Sequence, residues 1–308
     1  MIEPLISASA SASASASAFE VREVCAALDV WPSSFYAHRH KDQRPRRRED
    51  AVLSAALQQS FEGSGHSYGS PRLVKALQKQ GHHTSKTRVR RLMKSQGLCP
   101  VQKRRVRVKT THSNSHLPVA PHRLLEAPPA QRPGERFYSD ITYIPTKEGW
   151  LFVAATLDAY SRRCAGWSAG DNMETPLVLR AAQRALASAG AGWESVFHSD
   201  RGSQYASEMF RGFLEQYNVV QSMSRRGNCY DNAAMESFWA TLKTECFDNF
   251  RHGIPATRQE ARQTIFRYIE LFYNPKRLHS ALGYCSPAEF EAIYFNQKEE
   301  NLSLSVST

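Results

Sequence analysis

Asp140, Asp200 and Glu236 are acids in settings that ask for a counter-charge. Asp140 lies in F-Y-S-D-I-T-Y-I, an alternating segment that predicts a strand with Tyr138, Asp140, Thr142 and Ile144 on one face. An acid among apolar and aromatic neighbours is costly unless it is paired or bound to a cation. Asp200 follows a short apolar segment in H-S-D-R-G-S-Q-Y, where the glycine lets the backbone turn sharply. Glu236 falls in D-N-A-A-M-E-S-F-W, predicted helical from near Asp231, with Phe238, Trp239 and Leu242 as apolar contacts and Asp231 as the N-cap. Lys243 stands seven residues after Glu236, two turns along on nearly the same face.

Mg²⁺ takes oxygen ligands and needs few carboxylates, leaving room for water and phosphate oxygens. Two such ions about 4 Å apart can hold the attacking and leaving oxygens of a phosphoryl transfer. Three carboxylates from two strands and a helix could build that site, with Lys243 offering a cation to phosphate. Three acids among 29 read equally as ion pairs or caps, and Asp158, at a strand end, reads as a turn-former.

The elements that must position these acids follow from periodicity. Strands are predicted at 137–145, 150–157, 164–168, 195–198 and 219–223. Helices are predicted at 175–189, 207–217, 231–244 and 258–273. Three strands joined by short turns should be antiparallel, and strands reached through helices should be parallel additions. The expected fold class is α/β, a mixed sheet covered by helices.

The first half differs. Ser7 to Ala18 alternates Ser and Ala and has nothing large to bury, so it is read as disordered. Val21, Val24, Cys25 and Leu28 form one stripe, and Ser33 or Ser34 could cap a second short helix carrying Phe35 and Tyr36. That pair reads as a packing hairpin or as a DNA reader. A basic linker is expected at 39–48. A helix follows at 51–61 with Val52, Leu53, Ala56 and Leu57 along one side. A helix pair at 72–80 and 87–96 flanks Gly81, with Ser85 as N-cap of the second. In that helix Val89, Leu92 and Met93 face a core while Arg88, Arg90, Arg91 and Lys94 face out, as a recognition helix requires. A solvated face is the plainer alternative. Lys103 to Lys109 is a further basic run, and the proline-rich 110–134 is read as a linker that could also lie along DNA.

Of 308 residues, 41% are hydrophobic, enough for a real core, and the net charge is +11. Between Tyr36 and Lys109, 19 Lys and Arg face 4 Asp and Glu, a net +15, so the remainder sums to −4. A basic block beside a mildly acidic one points to a polyanionic partner gripped by the first half. The six cysteines form no C-x-x-C pair, which argues against a disulfide framework or a zinc ribbon and for reduced thiols in the cytoplasm. No apolar run is long enough to span a membrane, and the Glu3 and Ser-Ala start does not read as a signal peptide.

D-I-T-Y-I around Asp140, H-S-D-R-G-S-Q-Y around Asp200 and S-x-S-R-x-G-N-x-x-D-N-A-x-x-E-S-F around Glu236 resemble the OrfB transposases of the third insertion-sequence family, in the DDE transposase and retroviral-integrase superfamily. The 35 residues between Asp200 and Glu236 match that family's spacing. The resemblance continues through Y-I-E-L-F-Y-N-P-K-R-L-H-S-A-L-G-Y (Tyr268 to Tyr284) and S-P-A-E-F. Upstream it takes in Y-G-S-P-R-L (Tyr68 to Leu73) and R-V-R-R-L-M (Arg88 to Met93), so that it covers about Val21 to Ala292. Phe137 stands where the family usually has Trp.

The resemblance implies a ribonuclease-H-like catalytic core at 135–292 behind a helix-turn-helix DNA-binding region at 19–109, with a linker at 110–134 and a tail at 293–308. It implies a catalytic and metal-binding triad of Asp140, Asp200 and Glu236, a DNA-contacting Lys243, and Mg²⁺ or Mn²⁺ as two ions. It also implies nicking of element ends followed by 3′-hydroxyl strand transfer. The implied partners are double-stranded DNA of element ends and target, further copies of the chain, and an upstream-frame (OrfA) product or fusion. The expected location is the bacterial cytoplasm, at the nucleoid. The alternative function is a non-catalytic DNA-binding regulator or inactive relic, revealed by salt-sensitive DNA binding without metal-dependent cleavage. A ribonuclease or junction nuclease on the same fold would leave the long basic N-terminal half without a reason, and preference for an RNA–DNA hybrid would reveal it.

Overall fold

The computed structural model describes residues 21–39, 45–101, 118–125, 127–189, 195–225, 229–248 and 253–306. The Ser-Ala repeat, the Lys103–Lys109 run and residues 110–117 and 126 of the expected linker lie outside them. The chain divides into two compact units between Gln59 and Ser60.

The first unit holds α1 (Val21–Ala27), α2 (Pro32–Arg39) and most of α3 (Pro45–Gly63). Cys25 and Phe35 are buried. Leu28 falls past the end of α1 and is exposed, so the predicted stripe loses its last member. Neither Ser33 nor Ser34 caps α2, because Pro32, with its φ already helical, opens that helix. The expected basic linker is cut short for the same reason: α3 begins at Pro45 and takes Arg46 to Arg48 into its first turns. Its buried row is Leu53, Leu57 and Phe61, spaced by four, while Val52, one step round the helix, is exposed.

In the second unit α4 (Ser70–Lys79) packs on α5 (Lys86–Ser95). Leu73, Leu77, Val89, Leu92 and Met93 are buried. Gly81, at φ +85°, makes the turn between the two helices. Ser85 caps α5 as expected, its side chain accepting from Arg88 N. Arg90, Arg91 and Lys94 are exposed and Arg88 is half-buried.

The sheet-forming half opens with three antiparallel strands, β1 (Arg136–Thr146), β2 (Gly149–Asp158) and β3 (Cys164–Gly170). Helix α6 (Thr175–Ala189) leads to β4 (Val196–Ser199). The short α7 (Ser203–Ala206), which the sequence reading lacks, and α8 (Glu208–Gln216) lead to β5 (Val220–Met223). The sheet order is β3-β2-β1-β4-β5, with β4 and β5 added in parallel as expected. A 3₁₀ turn (Cys229–Asn232) then precedes α9 (Ala233–Phe247). Next come α10 (Arg258–Tyr268), prolonged by a π-turn (Ile269–Tyr273), and α11 (Pro287–Val306). The segment from 293 on, read as a tail, continues α11.

Both faces of the sheet are covered, which is why β2 reads as almost continuously apolar. On one face Ile144, Val153 and Leu157 meet Met235, Phe238 and Leu242 of α9 and Ile265 of α10. On the other, Phe137, Ala154 and Phe197 meet Leu177, Val178 and Ala181 of α6 and Phe210 and Leu214 of α8. Gly166 lets β3 approach α6 so closely that a Cβ there would collide with Ala181 O and, at 2.5 Å, with Ala185 N. Outer β3 is an edge whose carbonyls are covered by side chains: Ser188 donates to Ala165 O, Arg184 to Trp167 O and Arg262 to Ala169 O. Strand addition from another chain is thereby discouraged.

Candidate active site

Asp140 sits midway along β1, opposite Ala155 of β2, on the sheet face that α9 covers. Its Oδ2 accepts a hydrogen bond from Trp239 Nε1 at 3.0 Å. Burial pushes its pKa up to about 7, and the negative charges of Asp200 and Glu236 push the same way, against the Ile141 and Trp239 N–H donors. Asp200 and Glu236 therefore each lie within electrostatic reach of Asp140.

Asp200 is the first residue beyond β4, the strand beside β1. Its Oδ1 accepts from Gly202 N at 2.9 Å, and a Cβ on Gly202 would stand 3.1 Å from that oxygen. Burial raises the Asp200 pKa as well. Glu236, in the first turn of α9, is exposed. Among the described residues, no three His, Cys, Asp or Glu side chains are gathered tightly enough to hold a metal ion by themselves. Lys243 is half-buried, its Nζ 5.4 Å from the Tyr143 ring centroid. Burial lowers its pKa, and the Asp140 charge opposes that shift.

The start of α9 is held differently from expectation. Asp231 is not the N-cap: it lies in the 3₁₀ turn, and Asn232 takes the cap position without a side-chain cap bond. Asp231 instead accepts from Arg225 N at 2.8 Å, Nε at 3.1 Å and Nη2 at 2.9 Å, and faces His122 Nε2 at 3.3 Å. The Arg225 hydrogen bonds hold its carboxyl down at about 2. Asn232 Nδ2 donates to Ser139 O at 3.2 Å, tying the helix start to β1 beside Asp140. His122 comes from the expected linker, of which 118–125 lies against the sheet: Arg123 N donates to Ser222 Oγ at 3.0 Å, and the His122 ring meets His198 edge-on. His198 is fully buried between Ser222 Oγ and Ser224 Oγ, and burial, with His122 beside it, lowers its pKa to about 4.

The carboxylates do not line the cavity of about 820 Å³ at the β3 edge, which lies among Trp167, Arg180, Arg184, Arg262 and Phe266.

Residues 130–229 match an integrase core domain model, 217–287 a second integrase core domain model, and 47–106 an HTH-like domain. The chain is 38% identical to the insertion element IS600 uncharacterized 31 kDa protein of Shigella sonnei, over 88% of this chain and 98% of that one. It is 37% identical to the transposase for insertion sequence element IS904 of Lactococcus lactis, over 82% and 98%. It is 36% identical to transposase InsF for insertion sequence IS3fB of Escherichia coli, over 89% and 94%. The chain belongs to the IS3 family of transposases. A looser likeness, at TM-score 0.45 and 15% identity over 77% of this chain and 73% of the other, is to a chain of the simian T-cell lymphotropic virus intasome in complex with PP2A regulatory subunit B56 gamma.

The transposase is thus a DDE-type polynucleotidyl transferase whose integrase core is the mixed sheet with its covering helices, the ribonuclease-H-like fold expected from the sequence. Among the described residues, no helix is long and apolar enough to cross a membrane. Sequence reasoning placed Trp239 only as an apolar contact and missed its N–H bond to Asp140. Indole needs a partner when buried, which signals that some acceptor exists without naming it. The tie from Asn232 to Ser139 was missed too, because a side-chain amide next to a helix start reads as a cap.

Proposed function

We propose that Asp140, Asp200 and Glu236 are the catalytic carboxylates of this transposase and hold its divalent cations, Mg²⁺ or Mn²⁺, as a pair of ions. The observation that carries this reading is the setting of Asp140: it stands on β1 under α9, bonded to Trp239, where burial and then the neighbouring Asp200 and Glu236 charges disfavour its ionised form, a cost that a hard cation would offset. All-oxygen donors fit Mg²⁺, which needs only part of its shell from protein. When bound, such ions polarise a phosphodiester and lower the pKa of a bound water.

The chain's own residues hold this donor set in register. The Trp239 N–H orients Asp140, Gly202 N orients Asp200, and Asn232 fixes the start of the helix that carries Glu236. Lys243, from the same helix, presents a cation to DNA phosphate. The reaction is hydrolysis of a phosphodiester at the element end, which frees a 3′-hydroxyl, followed by attack of that hydroxyl on a target phosphodiester. Arg88, Arg90, Arg91 and Lys94 on α5 grip double-stranded DNA, largely through phosphates. The working assembly holds several copies and an upstream-frame (OrfA) product or fusion, and acts at the bacterial nucleoid.

The test is cleavage and joining of labelled duplex carrying the element's ends, with Mg²⁺ or EDTA, with and without the upstream-frame fusion. Asp140→Asn, Asp200→Asn and Glu236→Gln should each abolish products while DNA binding persists. Wild-type cleavage by any of them would overturn its assignment. DNA binding without products from wild type in either form would favour a non-catalytic regulator.

A further inference from the structure

Behind α9, away from the carboxylates, lies an ion pair that the reaction does not use. Arg277 donates Nε to Glu245 Oε2 and Nη2 to Oε1, both at 2.6 Å, and the two side chains are only 3% and 6% exposed. Tyr268 OH donates to Glu245 Oε2 at 2.8 Å. Arg277 Nη1 lies 3.3 Å from His279 Nε2, and its guanidinium sits 5.8 Å from the Tyr273 ring centroid. The helical pair reaches the same place. Tyr68, just before α4, accepts from Leu278 N at 2.7 Å and donates to Lys276 O at 3.3 Å, while Arg72 Nη1 stands 3.8 Å from Glu245 Oε1.

Stability alone gives little reason for this arrangement, since a buried ion pair is often no more stable than apolar residues of the same volume. Its geometry gives a better one. Glu245 follows Glu236 by nine residues, about two and a half helical turns, so the two acids leave α9 on opposite sides. Clamping Glu245 fixes the rotation of α9 and with it the direction of Glu236. The clamp is built from the Y-N-P-K-R-L-H segment and is closed by two residues of the Y-G-S-P-R-L segment of the HTH-like region.

We propose that Glu245, Arg277, Tyr68 and Arg72 form a positioning joint through which the DNA-gripping helical pair sets the orientation of the Glu236 helix, an inference that rests on Glu236 being a catalytic carboxylate. Tyr68 and Arg72 act through α9 and touch no reacting atom.

The experiment uses the full chain, in whichever form cleaves end DNA. Tyr68→Phe and Arg72→Gln remove the inputs from the helical pair, and Glu245→Met with Arg277→Met, made in the Arg72→Gln background, removes the pair without leaving the Arg72 charge unpaired. End-DNA affinity, turnover at saturating DNA, thermal midpoint and amide exchange across residues 233–247 with and without DNA are measured for each. In wild type, DNA should slow exchange in α9. The Tyr68 and Arg72 variants should bind DNA as wild type, lose that slowing, and turn over roughly tenfold to a hundredfold more slowly at unchanged KM. Wild-type turnover and exchange in all variants would overturn the proposal. So would a loss of turnover that merely tracks a lowered thermal midpoint. Glu236→Gln run alongside separates the two readings: cleavage surviving in it would sink the carboxylate assignment, whereas its inactivity beside fully active joint variants would sink only the joint.

Discussion

The Trp239 indole N–H is bonded to the Asp140 carboxylate at 3.0 Å, and the same helix that supplies Trp239 carries Glu236 three residues earlier. Strand and helix are thus locked together at the point where both deliver a carboxylate. Trp239→Phe keeps an apolar ring against Phe238 and withdraws only the donor. Losing a donor raises the pKa of a carboxyl already at about 7, so protons compete better with a cation near neutral pH. A hydrogen bond to a charged group contributes about 1.5–3 kcal/mol, so the Mg²⁺ concentration for half-maximal cleavage should rise tenfold or more, by roughly that estimate, at pH 7. The gap should narrow at pH 8. Magnesium titrations of the cleavage rate at both pH values check this, and identical curves for variant and wild type would count against a role for the indole.

The approach of β3 to α6 at Gly166 leaves no space for a methyl group. The nearest atoms are backbone on a fifteen-residue helix buried along one side, so neither element can yield easily. Gly166→Ala should cost at least the upper part of the ~1–3 kcal/mol typical of overpacking. A thermal melt reads the cost directly, and a midpoint within a degree or two of wild type would show that the contact relaxes.

His279 is held neutral, its pKa lowered to about 3 by burial and then by the charges of Arg277, Arg72 and Arg162. The unfolded chain takes up a proton there below about pH 6.5 and the folded chain does not. More protons are then bound by the unfolded state, so stability falls as pH drops from about 6.5 towards 3. One such group contributes up to about 1.4 kcal/mol per pH unit in that window. Urea melts at pH 7 and pH 5 should differ less for His279→Gln than for wild type. Equal differences would show that other groups set the acid dependence.

Arg90 and Lys94 project from α5 into solvent. If they contact DNA phosphates, each alanine variant should weaken binding similarly on any sequence and flatten the plot of log affinity against log salt by about 0.9. Fluorescence anisotropy across a salt series measures that slope. An unchanged slope would make this a solvated face.

Much of the fold was legible because its signals are local. Alternation over a few residues marked β1, the apolar run marked β2, and Ser85 announced the start of α5 through a bond to an amide three residues away. The errors are also instructive. Asp231 has the chemistry of a cap, yet Arg225 and the linker residue His122 claim its carboxylate, and a cap rule that looks only along the helix cannot foresee such competition.

What the sequence by itself determined is the five strands and most of the helices, their order, and the three acids standing on β1, after β4 and in α9; the short α7 and the helix from Pro287 were not among them. Periodicity, turn residues and capping act between neighbours, so one chain of letters carries them. Tertiary structure alone decided which distant groups meet: Trp239 with Asp140 across 99 residues, and Tyr68 with Leu278 across 210. Those pairings depend on how the five-stranded sheet and its covering helices bring remote side chains into bonding distance. No residue's neighbours encode that, because the partner exists only once the core has packed.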